Sequence, residues 1–163
     1  MKNILFLLLL TAAATLAQAQ DDTTASAASL PQQPSYRTAV GVKLWSGAGL
    51  SVKHFGGNTN AIELIAFFGR NTSRLTGLYE IHGNAGGISG LQWYAGPGAH
   101  ISFSGGRKTG KSNYVGIDGV AGLDYRFASA PISISLDIQP SYEFGGSEAF
   151  RGILGGLGIR YVW

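Results

Sequence analysis

The 163 residues hold 12 Lys and Arg against 9 Asp and Glu, a formal net charge of +3 that is too small to argue for nucleic acid. Only 13% of residues are charged, about half the ~25% of an ordinary soluble domain. Glycine contributes 25 residues but proline only 5, which excludes a disordered Pro/Gly tract. The absence of cysteine excludes disulfides, thiolate catalysis, Cys-ligated zinc and a lipidated-cysteine anchor.

In chain order, Lys2 precedes an apolar run from Ile4 to Leu10, which fades into Ala17-Gln18-Ala19. A positive start, a short apolar stretch and a small-x-small site predict a cleaved secretory signal peptide over residues 1–19. The run is shorter than the ~20 residues of a spanning helix. Residues 20–35 are small and polar with two prolines, and read as a flexible periplasmic lead-in.

From Tyr36 onward apolar residues recur at every second position, the period of a strand. Eight segments follow, near 37–45, 48–55, 60–69, 74–83, 90–103, 115–127 and 132–144, with a last one ending at Trp163. In 132–144, Ile132, Ile134, Leu136, Ile138, Tyr142 and Phe144 share one face, and Ser133, Ser135, Asp137, Gln139, Ser141 and Glu143 the other. Glycine-, serine- and asparagine-rich turns separate the segments, the longest over Ser104 to Asn113.

Alternation alone leaves open which face is wet. Glycine crowds the polar face, as a narrow lumen packed with large side chains requires, and charges sit singly among those glycines. Aromatic residues mark the strand ends: Trp45, Phe68, Phe103, Tyr114, Phe144 and Phe150 at one rim, and Tyr36, Phe55, Trp93, Phe127, Tyr161 and Trp163 at the other. The expected fold is therefore all-β, an eight-stranded antiparallel transmembrane β-barrel over 36–163 with a polar-filled lumen. The charges expected to face inward are Arg37, Lys43, Lys53, Glu63, Glu80, His82, Asp118, Asp124, Arg126, Asp137, Glu143 and Arg160. Buried charges must pair, so these are expected to form a structural ion-pair network that plugs the lumen, with Asp124 between Arg126 and Arg160.

Four stretches carry a family resemblance: Leu75 to His82, Gly90 to Phe103, Gly116 to Phe127 and Gly158 to Trp163. Together they make the chain, over about 37–163, resemble small outer-membrane barrels of the Bacteroidetes type. The resemblance implies a Gram-negative outer-membrane location and brings no established catalytic residues. It also implies that the final strand, ending in Trp163 where such strands usually end in phenylalanine, is read by the barrel-insertion machinery.

Two motifs suggest chemistry. Gly105-Gly-Arg-Lys-Thr-Gly-Lys-Ser112 fits the phosphate-loop pattern, but a period-two segment follows it where that loop needs a helix. The expectation is a basic hairpin loop without nucleotide. Arg107, Lys108 and Lys111 are candidate contacts for lipopolysaccharide phosphates, set against a simple solvated loop. His100-Ile101-Ser102 resembles the H-x-S of lipid A deacylases, eight-stranded barrels that use His, Ser and an acid, with Asp118 as the nearest acid. In phase with Gln92 both residues point into the lumen, although a bulge at Pro97 would reverse them.

The leading expectation is a non-enzymatic, structural or surface-interaction protein of the cell envelope, with lipid and lipopolysaccharide as partners and no nucleic acid, cofactor or metal. A lipid A-modifying hydrolase using His100, Ser102 and Asp118 is the alternative. A small, porin-like diffusion pore is the weaker one.

Overall fold

Every period-two segment is a strand in the computed structural model, which describes residues 36–69, 72–106, 110–144 and 149–163. The strands are β1 (Thr38–Leu44), β2 (Ala48–Phe55), β3 (Asn60–Phe68), β4 (Thr72–Asn84), β5 (Leu91–Gly106), β6 (Gly110–Arg126), β7 (Ile132–Phe144) and β8 (Ala149–Val162). Each pairs antiparallel with its chain neighbours, and β1 pairs with β8, so the sheet closes into a barrel without a free edge. The signal peptide expected over 1–19 and the lead-in expected over 20–35 lie outside the described residues.

β5 and β6 run further than the hydropathy pattern predicts. They stay paired through Ser104 opposite Ser112 to Gly106 opposite Gly110. Serine and glycine offer little hydropathy contrast, so the period is invisible there although the backbone keeps it.

The period-two pattern sends successive side chains to opposite faces, and the polar set faces in. On β7, Ser133, Ser135 and Gln139 are 0% exposed, whereas Leu136 is 64% and Ile138 53% exposed. Glycines on the inner face make room for their neighbours. A Cβ at Gly122 would stand 2.6 Å from Asp137 Cβ and 2.8 Å from Tyr94 Cζ, so the Tyr94 ring fits only because position 122 has no side chain.

Two apolar layers divide the lumen. Where β1 begins, Tyr36, Ala39, Phe55, Ala61 and Val162 form a buried seal, with the Tyr36 and Phe55 rings edge-on at 5.2 Å. Midway, Ile65, Leu78, Tyr94 and Val120 pack together with Trp45 against them, and Trp45 stacks on Phe67 at 4.8 Å. Tyr36 and Phe55, expected in the rim belts, thus fill the interior instead. Trp93, Phe127, Tyr161 and Trp163 at that end are exposed, as are Phe68, Phe103 and Phe144 at the other.

The strand ladders skip rungs opposite two prolines. On β4–β5 the pairing passes from Leu78–Gly98 to Ile81–Ala95, leaving out Tyr79 opposite Pro97. On β6–β7 it passes from Asp118–Ser141 to Ala121–Ile138, leaving out Gly119 opposite Pro140. Proline has no N–H to give the ladder. Pro97 does not reverse the strand's faces: Tyr94, His100 and Ser102 all remain buried. A register shift occurs instead between β7 and β8, at Ser141/Tyr142.

Candidate functional site

The inner-face positions of β1, β2, β3, β4, β6, β7 and β8 bring seven charged side chains together between the two apolar layers. Lys43 Nζ lies 2.8 Å from Asp137 Oδ2 and 3.8 Å from Glu63 Oε2. Lys53 Nζ lies 2.8 Å from Glu80 Oε2, 3.7 Å from Asp124 Oδ2 and 3.9 Å from Glu63 Oε2. Arg160 donates from Nη2 to Glu63, from Nε to Ser51 Oγ at 2.9 Å and from Nη1 to Ser135 Oγ at 2.7 Å. Three cations therefore meet four carboxylates, and His82 Nε2 stands 2.9 Å from Glu80. Tyr94 donates to Asp137 at 2.5 Å, and the Lys53 ammonium sits 4.2 Å from the centre of its ring.

This network differs from the expected one in its partners. Arg160 is bound to Glu63, whereas Asp124 takes Lys53 and the Tyr36 hydroxyl, the latter at 3.3 Å. Arg126 is half-buried, with its guanidinium 5.6 Å from the Tyr36 ring. Arg37 is exposed, not inward. It precedes β1, so the strand's alternation does not govern its direction. Burial together with the Asp124 carboxylate pushes the Tyr36 phenol well above its ordinary value.

A second cluster lies on the other side of the midway layer, on β4 to β7. Arg74 donates from Nη2 to Asp118 and to Ser141 Oγ at 3.1 Å, and from Nε to Thr76 Oγ1 at 3.1 Å. His100 Nδ1 is 2.8 Å from Asp118 Oδ2 and 3.0 Å from Arg74 Nη2. Its Nε2 is 3.5 Å from Glu143 Oε1, the atom to which Ser102 Oγ donates at 3.1 Å. The sequence reading missed Arg74. It shares its parity with Glu80 and His82 on β4, and that signal was sufficient to place it inside.

The acid that the histidine–serine reading requires is therefore present, since Asp118 holds the His100 ring. The serine is not engaged with the imidazole, because its hydroxyl proton goes to Glu143. A serine nucleophile needs its hydroxyl on the base, and His100 and Ser102 are 3% and 2% exposed. The arrangement binds its own side chains to one another. Arg107 and Lys108 lie outside the described residues, and of Lys111 only the backbone is described, within β6. No family model, curated protein or solved structure matches the chain.

Proposed function

We propose that the barrel spans a Gram-negative outer membrane as a closed, non-conducting protein with a structural or surface-interaction role. One observation carries this reading: the distribution of polarity is inverted relative to a water-soluble barrel. One outward aliphatic residue from each strand shows it, with Leu44, Leu50, Leu64, Leu75, Ile101, Ile117, Leu136 and Ile159 between 42% and 64% exposed. Soluble monomers rarely expose apolar patches beyond a few hundred Å². A closed barrel is one of two structures that satisfy all backbone groups in lipid. The signal-peptide pattern of residues 1–19 supports export, and exposed aromatics at both barrel ends support two membrane interfaces. Arg107 and Lys108 fall between β5 and β6 in the sequence and Lys111 falls at the start of β6, and their charge suits lipopolysaccharide phosphate.

Refolding into vesicles tests this reading. The expected result is flotation with the lipid and a gel mobility that changes on boiling. A compact monomer in plain buffer, absent from the floated lipid, overturns it.

The Asp118–His100 hydrogen bond favours one second reading, a lipid A-modifying hydrolase. Incubation with lipid A followed by mass spectrometry decides between them. An acyl chain lost with the native chain but kept with Ser102→Ala and with His100→Ala establishes the hydrolase, and an unchanged mass supports the structural role.

A further inference from the structure

All eight strands have one end at a level rim. Backbone hydrogen bonds run round it from neighbour to neighbour: Arg37 N to Trp163 O, Phe55 N to Arg37 O, His82 N to Thr59 O, Arg126 N to Gly90 O, Phe127 N to Ile132 O and Val162 N to Pro131 O. From that rim β1 rises 7 residues, β2 8 and β3 9, whereas β5 rises 16, β6 17 and β7 13. The other rim is therefore stepped, low over the β1–β2 hairpin and high over β5 to β7.

The step falls inside the apolar band. At about 3.3 Å per residue and a tilt of about 45°, the 13 residues of β7 cover about 30 Å of depth and the 7 of β1 about 16 Å. Outward side chains of the tall strands stay apolar up to Phe103 and Phe144, both exposed, so that height is not a polar extension standing in water. An apolar band about 25 Å tall is covered by β7 but overruns the tip of the β1–β2 hairpin by about 10 Å. That tip is the turn Trp45-Ser46-Gly47, with Ser46 exposed. Lipid-exposed irregular backbone does not occur at hydrocarbon depth, because nothing there pairs with its N–H and C=O groups. The lumen at that height is polar too. On β7, Ile138 stands level with Leu44, and the inward residues above it are Ser141 and Glu143.

Tilting the whole barrel would lift the turn to the interface. It would also draw the level-rim end of β1 to β3 into lipid, where Thr38 Oγ1 and His54 Nδ1 hydrogen-bond at the surface at 3.0 Å and Asn60 is exposed. Unpaired polar groups are costly there. A bilayer, in contrast, thins locally at modest cost.

We infer that the bilayer makes up the difference. The leaflet away from the chain termini, the outer one with a periplasmic lead-in, is pinched beside the β1–β2 hairpin, and lipid head groups with their water come down to Ser46. The inference rests on the membrane reading proposed above. The β1–β2 side is thus an interaction surface for the polar part of the outer leaflet, and the β5–β7 side one for its alkyl chains.

The chain has no cysteine, so single-cysteine variants carry one nitroxide each. The barrel is reconstituted in dioleoylphosphatidylcholine vesicles, and label depth is read by electron paramagnetic resonance with oxygen and a water-soluble nickel complex as relaxants. Ser46→Cys is expected to meet nickel more than oxygen, as at head-group depth. Ile138→Cys, at the same height on β7, is expected to show the reverse. Gly56→Cys lies at the level rim, where an added carbon meets nothing within 4 Å, and is expected to read as water-exposed. Ala48→Cys, on the same hairpin, replaces Ser46→Cys if that variant does not refold, with the same expectation. A hairpin label about 10 Å deep in hydrocarbon overturns the inference. So does a Gly56 label in hydrocarbon, which means that the barrel tilts instead. Vesicle flotation keeps the two readings apart. A folded barrel that fails to float overturns the membrane reading, whereas one that floats with its hairpin label in hydrocarbon overturns the pinched leaflet alone.

Discussion

Arg160 on β8 reaches past β1 and β2 to Glu63 on β3, with Ser51 of β2 held between them. Ser51 Oγ accepts from Arg160 Nε at 2.9 Å and donates to Glu63 Oε1 at 2.5 Å, while Arg160 Nη2 donates to Glu63 directly. Both charged side chains are essentially without solvent. The relationship ties three strands together across the lumen, and Glu63 also faces Lys43 and Lys53.

Removing one member of such a buried set leaves its partners uncompensated. Glu63→Gln is expected to destabilise the barrel by about 3–5 kcal/mol, measured by urea unfolding in detergent. A double-mutant cycle of Glu63→Gln with Arg160→Met is expected to show strong non-additivity. Additive losses mean that the two side chains do not interact.

The same network predicts an electrically silent protein. Eight strands leave an interior just wide enough for side chains, and here those side chains are ion-paired. Planar-bilayer recordings are expected to show no steady ohmic conductance. A stable open level from pure protein refutes the plug.

Gly122 is expected to tolerate no larger residue. Its would-be Cβ meets Asp137 Cβ and the Tyr94 ring, and both neighbours are held by the hydrogen bond between them. Gly122→Leu is expected to cost about 1–3 kcal/mol or more through overpacking. Gly56→Ala, with nothing within 4 Å of its added carbon, serves as the near-neutral control in the same unfolding assay.

Tyr36 introduces an alkaline limit. Its phenol is held protonated in the folded barrel above the ordinary value of 10.0 by burial and the Asp124 carboxylate. Above that pH the unfolded chain loses the phenolic proton while the folded barrel keeps it, so the unfolded state binds fewer protons and stability falls as pH rises. Tyr36→Phe is expected to shallow the decline above about pH 10. Unfolding curves recorded from pH 8 to 12 measure the difference, and identical slopes count against a buried phenol.

Strand positions and their inner and outer faces were legible in the chain because both follow from a local period of two. Ser133 to Glu143 on β7 shows this plainly, since each polar residue is flanked by outward neighbours and alternation alone fixes its direction relative to them. Gly122 and its fellow inner-face glycines pointed to a crowded lumen for the same local reason. Where the pattern lost contrast, at Ser104 to Gly106, or where a residue stood outside the strand, at Arg37, the local rule had nothing to act on.

Partnership was decided by the tertiary structure alone. Which cation meets Glu63, whether Tyr36 lies on a rim or in a seal, and that Asp118 rather than Ser102 engages His100 all depend on strand register around the closed barrel. Register is a relation between residues far apart in sequence, as Arg160 and Glu63 are, and no local periodicity encodes it. The gap in the β4–β5 ladder at Pro97 belongs to the same class. Pro97 is visible in the chain, but only the pairing of β4 with β5 reveals whose hydrogen bond it removes.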